Sequence, residues 1–117
     1  MKNQQSYVDF VIEQFSLLGE ITARSMFGGH CLYCNGIVFT LIANNSVYLK
    51  ADDINRPDFE KRKLPAFHPF GDEKMSMNYF AAPPEIFEDS DALKQWVGGA
   101  VEAGRRSKKP KKRVKKA

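Results

Sequence analysis

Apolar side chains along the chain follow two different spacings, and the switches between them mark out the elements. Val8, Val11, Ile12, Phe15 and Leu18 recur at helical intervals, which predicts a first helix with one buried stripe. Ser6 with Asp9 forms a capping-box pattern at its start, and Gly19 supplies its stop. From Ile21 to Phe27 the period shortens to two, as in a strand, and Gly28-Gly29 follows as a sharp turn or bulge. Asn35-Gly36 is the dipeptide suited to a two-residue type I′ hairpin turn. That turn sets Cys34 opposite Ile37 and Leu32 opposite Phe39. Leu32, Cys34, Ile37, Phe39 and Leu41 then share the core face, while Cys31, Tyr33, Val38, Thr40 and Ile42 share the other.

A three-residue turn at Asn44-Asn45-Ser46 leads into a further strand with Val47, Leu49 and Ala51 inward and Tyr48 and Lys50 outward. Pro57 suits the first position of a short helix reaching about Arg62. Ala66 to Phe70 and Met75 to Phe80 follow as strands, the first confined to an edge or bulge by Pro69. Pro83-Pro84 ends the sheet. A last helix from about Ser90 buries Leu93, Trp96, Val97, Ala100 and Val101, despite Gly98-Gly99, each costing about 1 kcal/mol relative to alanine. This order implies an α+β fold: a two-layer sandwich in which an antiparallel sheet of about five strands is flanked by N- and C-terminal helices.

Charge divides the chain in two. Arg105, Arg106, Lys108, Lys109, Lys111, Lys112, Arg113, Lys115 and Lys116 supply half of the 18 basic residues with no acid among them. The other half lies with all 14 carboxylates in residues 1–104, giving −5 there against +9 beyond. A segment so charged, with Pro110 and no aromatic, lacks the apolar area to fold. The expected organisation is therefore one domain over 1–104 and a disordered basic tail over 105–117. Polyanions are the tail's natural ligands, DNA or RNA above all, held by phosphate neutralisation and counterion release. An anionic membrane is not expected, because no insertion residue or lipid anchor accompanies the charge. No apolar run approaches the roughly 18 residues of a membrane span, and the polar start of the chain lacks a secretory signal, so an intracellular, reducing setting is expected.

Candidate chemistry is thin. His30-Cys31-Leu32-Tyr33-Cys34 holds a C-x-x-C, but in a strand residues three apart face opposite sides. A redox pair needs a helix N-terminus and a zinc site four convergent ligands, so Cys31 and Cys34 are expected to be two small strand residues. His68 is the one other histidine. Asp52-Asp53, and Asp58 with Glu60, flank a turn and a helix start, where carboxylates complement orphan N–H groups. No nucleophile elbow, phosphate loop, dinucleotide fingerprint or metalloprotease motif occurs. No catalytic residue, metal or cofactor is expected. The outward face of the hairpin is more suggestive: Tyr33, Val38, Ile42 and Tyr48, beside Arg24 and Lys50, form an apolar surface that needs cover by a helix, a second copy or a partner.

Arg24-Ser25-Met26-Phe27-Gly28-Gly29, Leu32-Tyr33, Asn35-Gly36, Val47-Tyr48-Leu49-Lys50-Ala51-Asp52, Met75-Ser76-Met77-Asn78-Tyr79, Pro83, and Leu93 with Trp96 occur in that order. Together they resemble the N-terminal domain of the TfoX/Sxy family. The resemblance implies a bacterial, cytoplasmic, non-enzymatic regulator of competence transcription, acting with an activator of the cyclic-AMP-receptor type. Longer members carry a second, helical domain where this chain has its basic tail.

The expected function is accordingly a regulatory or accessory protein. Its body binds a protein partner, such as a transcription activator, through Arg24, Tyr33, Tyr48 and Lys50, and its tail adds nonspecific nucleic-acid affinity. An interaction or dimerisation module with an incidental tail is the alternative, and a metal or redox protein using Cys31, Cys34 and His68 comes last.

Overall fold

A computed structural model describes residues 3–26, 29–67 and 78–108. Helix α1 (Gln5–Phe15) buries Val8, Val11 and Phe15, as the stripe predicts. It starts at Gln5, not at a Ser6–Asp9 capping box, and no side chain caps it from within. Tertiary bonds do that work: the Gln4 N–H donates to Asn45 Oδ1 (2.9 Å), and the Asn45 N–H donates to Asn3 Oδ1 (2.9 Å). A 3-10 turn, Ser16–Leu18, ends at Gly19, whose φ of 147° requires glycine.

Five strands follow in a simple meander: β1 (Ile21–Met26), β2 (Gly29–Cys34), β3 (Ile37–Ala43), β4 (Ser46–Lys50) and β5 (Tyr79–Ala81), each antiparallel to the next. Asn35 and Gly36 adopt the positive φ values (50° and 85°) of the predicted two-residue turn, and Cys34 pairs with Ile37. Two expectations about register fail together. Leu32 pairs with Thr40 instead of Phe39, because a bulge in β3 adds one residue between the Tyr33–Val38 and Leu32–Thr40 pairs. The next turn holds two residues, not three, with Asn44 and Asn45 both at positive φ (53° and 55°) and Ala43 paired with Ser46. The bulge reverses the alternation, so Ile42 enters the core opposite Val47 while Leu41 turns outward opposite Tyr48. Phe39 gains a tilted contact with Phe15, their rings 5.9 Å apart.

Helix α2 (Arg56–Lys61) carries Pro57 in its first turn and buries one residue, Phe59. Of the strand expected over Ala66 to Phe70, a single bridge to Phe80 is seen, with the Phe67 N–H donating to Tyr79 O (2.8 Å) and the Ala81 N–H to Pro65 O (2.8 Å). Residues 68–70 and 75–77 lie outside the described residues. Helix α3 (Ser90–Lys108) packs Leu93, Val97, Ala100 and Val101 on the sheet. All three helices cover one sheet face, which confirms the two-layer α+β arrangement with its main core between helices and sheet.

The boundary at Gly104 needs correction. Helix α3 continues through Lys108, so Arg105, Arg106, Ser107 and Lys108 are helical and not part of an extended tail. The buried stripe of this helix passes through Ala103 and Gly104, both fully packed, and Gly104 has no side chain to reveal it in the sequence. Residues 109–117 lie outside the described residues.

Candidate functional site

Cross-strand pairing assembles the outer sheet face in rows. One row runs across all five strands as Arg24, Cys31, Leu41, Tyr48 and Ala81. A second joins Thr22, Tyr33 and Val38, and a third pairs Lys50 with Tyr79. Cys31, Leu41 and Tyr79 form a buried floor, with Tyr33, Val38, Tyr48 and Phe67 packed around it. Tyr48 and Phe67 meet at 4.8 Å between ring centres, and the Lys50 ammonium lies 5.1 Å from the centre of the Tyr79 ring. No strand contains an aspartate or glutamate, so Arg24 and Lys50 are the charged residues of this face among the described strands.

The structure thus brings Arg24, Tyr33, Tyr48 and Lys50 to one face, around that floor. Tyr33 stands between two clefts of about 300 and 310 Å3. Arg24 borders the first with Thr22, and Lys50 borders the second with Val38, Gly104 and Ser107. Tyr48 pairs with Leu41 of the floor and packs against Phe67. Ile42, expected here, lies in the main core, and Leu41, expected in the core, takes the outer position. Leu41, Phe67 and Tyr79 were missed as members of the face. Leu41 was hidden by the bulge, and Phe67 by lying outside any regular strand.

Titration shifts on this face follow burial. Burial pushes the Cys31 thiol and the Tyr79 phenol up, the latter reinforced by Cys31 and Tyr33, and so favours their protonated forms. Burial lowers Lys50 somewhat, opposed by Asp52. Cys34 lies on the opposite face, its thiol raised by burial against the pull of Arg105. The two cysteines do not converge, and no group of three or more ligating side chains among the described residues could hold a metal. His68 lies outside the described residues.

Beside the second cleft lies an ion pair that binds the end of α3 to the sheet. Arg106 donates from Nε to Asp52 Oδ2 (2.6 Å) and from a terminal nitrogen to Oδ1 (2.9 Å), a two-point contact. Asp52 Oδ1 also accepts from the Ile54 and Asn55 N–H groups, the turn-capping role its position suggested. The Asp52 N–H in turn donates to Asn55 Oδ1 (2.7 Å), and Asn55 Nδ2 donates to Lys50 O (3.0 Å). Arg106 is therefore paired with a carboxylate, and Arg105 lies 4.0 Å from Glu102. The partner of Arg106 is 54 residues away, so no local pattern announces it.

The Arg106 guanidinium, helped by the Asn55 and Ile54 N–H groups, holds the Asp52 carboxyl below the usual carboxylate range against partial desolvation. A lowered folded-state pKa makes the stabilisation fully present above the ordinary carboxylate value. It is lost as pH falls through the lowered one. Asp52→Asn is expected to cost about 1 kcal/mol near neutrality. Urea midpoints compared from neutral to acid pH should show the gap between variant and parent closing below about pH 4.

In sequence comparison, residues 13–104 match the TfoX N-terminal domain. The chain belongs to that family. No curated protein sequence matches it. Membership in the TfoX N-terminal domain family makes it a TfoX-like regulatory or accessory protein. The match ends at Gly104, so the last turn of α3, with Arg106, lies beyond the shared domain. No described helix is long and apolar enough to cross a membrane.

Proposed function

We propose that this chain is a non-enzymatic regulator whose folded body binds a protein partner on the outer sheet face and whose C-terminal basic run adds sequence-independent affinity for nucleic acid. The observation that carries the partner reading is that face: tyrosines and aliphatics, Arg24 and Lys50 at its borders, and no acid on any strand. It suits a partner that presents carboxylates around an apolar centre, such as a transcription activator of the kind the family resemblance implies. The nucleic-acid role rests on Lys109, Lys111, Lys112, Arg113, Lys115 and Lys116, with Lys108 at the helix end and Arg105 beside it. Arg106 is paired with Asp52, which competes with phosphate for it.

The test compares duplex DNA binding by the full chain and by a chain ending at Lys108, which keeps α3 and the Arg106–Asp52 pair intact. Across a salt series the full chain should bind with a log–log slope approaching about −5 if the six cations beyond the helix engage, and the shortened chain should lose most of that affinity. Equal binding by both would eliminate the tail's role and leave the second reading, an interaction module with an incidental basic end. The capture of Arg106 by Asp52 is the feature that favours this second reading.

A further inference from the structure

The two edges of the sheet are finished differently. Beyond β5 lie residues 65–67, bonded to it through Phe67 and Pro65. Beyond β1 no described segment pairs, and Thr22, Ala23, Arg24 and Ser25 are all exposed. Open edge strands are usually guarded by proline, a bulge, an inward-pointing charge or shortness. Strand β1 has no proline, bulge or inward-pointing charge: its six pairs with β2 run without a break, and its one charge, Arg24, lies on the outer face.

The bonding phase of that edge follows from its ladder. The Asn35 N–H donates to Glu20 O (2.9 Å), so Glu20 and Asn35 form a hydrogen-bonded pair that extends the β1–β2 register by one. By alternation Thr22, Arg24 and Met26 also bond inward to β2. The N–H and C=O groups of Ile21, Ala23 and Ser25 therefore point out to solvent.

We propose that this edge binds a second copy of the chain, β1 against β1 in antiparallel orientation, about a two-fold axis through the Ala23–Ala23 pair. Three features select that occupant and register. Ala23 lies opposite its own copy and Ile21 opposite Ser25 of the second copy, so every outward backbone group of the three residues finds a partner. Paired residues keep the same parity, which preserves the inner and outer faces across the junction. The same register places Glu20 diagonally across from Arg24 of the second copy, and Arg24 across from its Glu20, within reach of such long side chains. The strand is thus complementary to itself in hydrogen bonding, face and charge, and the product is one continuous sheet with both aromatic faces on the same side. This contact shares Arg24 with the border of the proposed partner face but does not depend on that reading.

Sedimentation equilibrium of the full chain over a concentration series reaching about 1 mM should show a reversible monomer–dimer equilibrium, as expected for an edge contact of modest area. Ala23→Pro removes an outward N–H and no bond to β2, and should weaken dimerisation at least about tenfold. Glu20→Arg or Arg24→Glu alone should also weaken it, and the two exchanged together should restore it. These exposed charges leave the fold intact, so the exchange stays decisive if the proline variant misfolds. A monomer throughout the series would overturn the proposal. So would a dimer that is unmoved by the charge reversals.

Discussion

Replacing Phe59 with alanine should cost about 3–5 kcal/mol, a large share of the about 5–15 kcal/mol that holds a domain of this size together. Phe59 is the one buried residue of α2, and the remainder of that helix is polar or solvent-facing. Its ring stacks on Phe80 at 5.1 Å with 19° between the planes and meets Trp96 edge-on at 5.2 Å. It therefore joins three elements, the short helix, the edge strand β5 and α3. Arg56 and Arg62 lie over the rings of Phe80 and Trp96, so the truncation also loosens two cation–π contacts. Urea unfolding followed by far-ultraviolet circular dichroism measures the cost. A loss below about 1 kcal/mol would mean that α2 is not anchored through this ring.

The second large effect is expected at Gly104, with an opposite result six residues earlier on the same helix, at Gly98. A β-carbon at Gly104 would sit 2.6 Å from the Val38 carbonyl oxygen and 2.7 Å from Ile37 Cγ2, closer than such atoms can approach. The first obstacle is backbone, so the helix must move, and Gly104→Ala should destabilise by about 2 kcal/mol or more. At Gly98 a β-carbon meets nothing within 4 Å. Gly98→Ala should therefore stabilise by up to about 1 kcal/mol through helix propensity alone. Thermal midpoints of the two variants should move in opposite directions, and a shared direction would refute the packing of α3 against β3.

These two glycines also show where sequence reasoning succeeds and where it stops. The stripe from Leu93 to Val101 is legible because its side chains are apolar and regularly spaced. In the sequence it ends there, because Gly104, its next member, contributes closeness rather than bulk. The same limit explains the bulge. Asn35-Gly36 announces its turn through a local backbone need for positive φ, whereas the extra residue in β3 is demanded by the packing of Phe39 and Ile42 against distant partners. Leu41 and Ile42 exchange faces in consequence, with no change in composition to signal it. Tyr33, Tyr48, Lys50 and Arg24 were assigned correctly to the outer face because each lies on the hairpin side of the bulge or in another strand. Arg106 was read as tail because charge is visible in a sequence, while a carboxylate 54 residues away is not.

The Arg106–Asp52 pair changes how a pull on the chain beyond Lys108 is carried. Arg106 and Gly104 lie in the last turns of α3, the first tied to the end of β4 and the second seated on β3, the central strand of the five. Force applied to the basic segment is delivered to these two anchor points. A polyanion that grips the segment would take hold of the sheet by its middle.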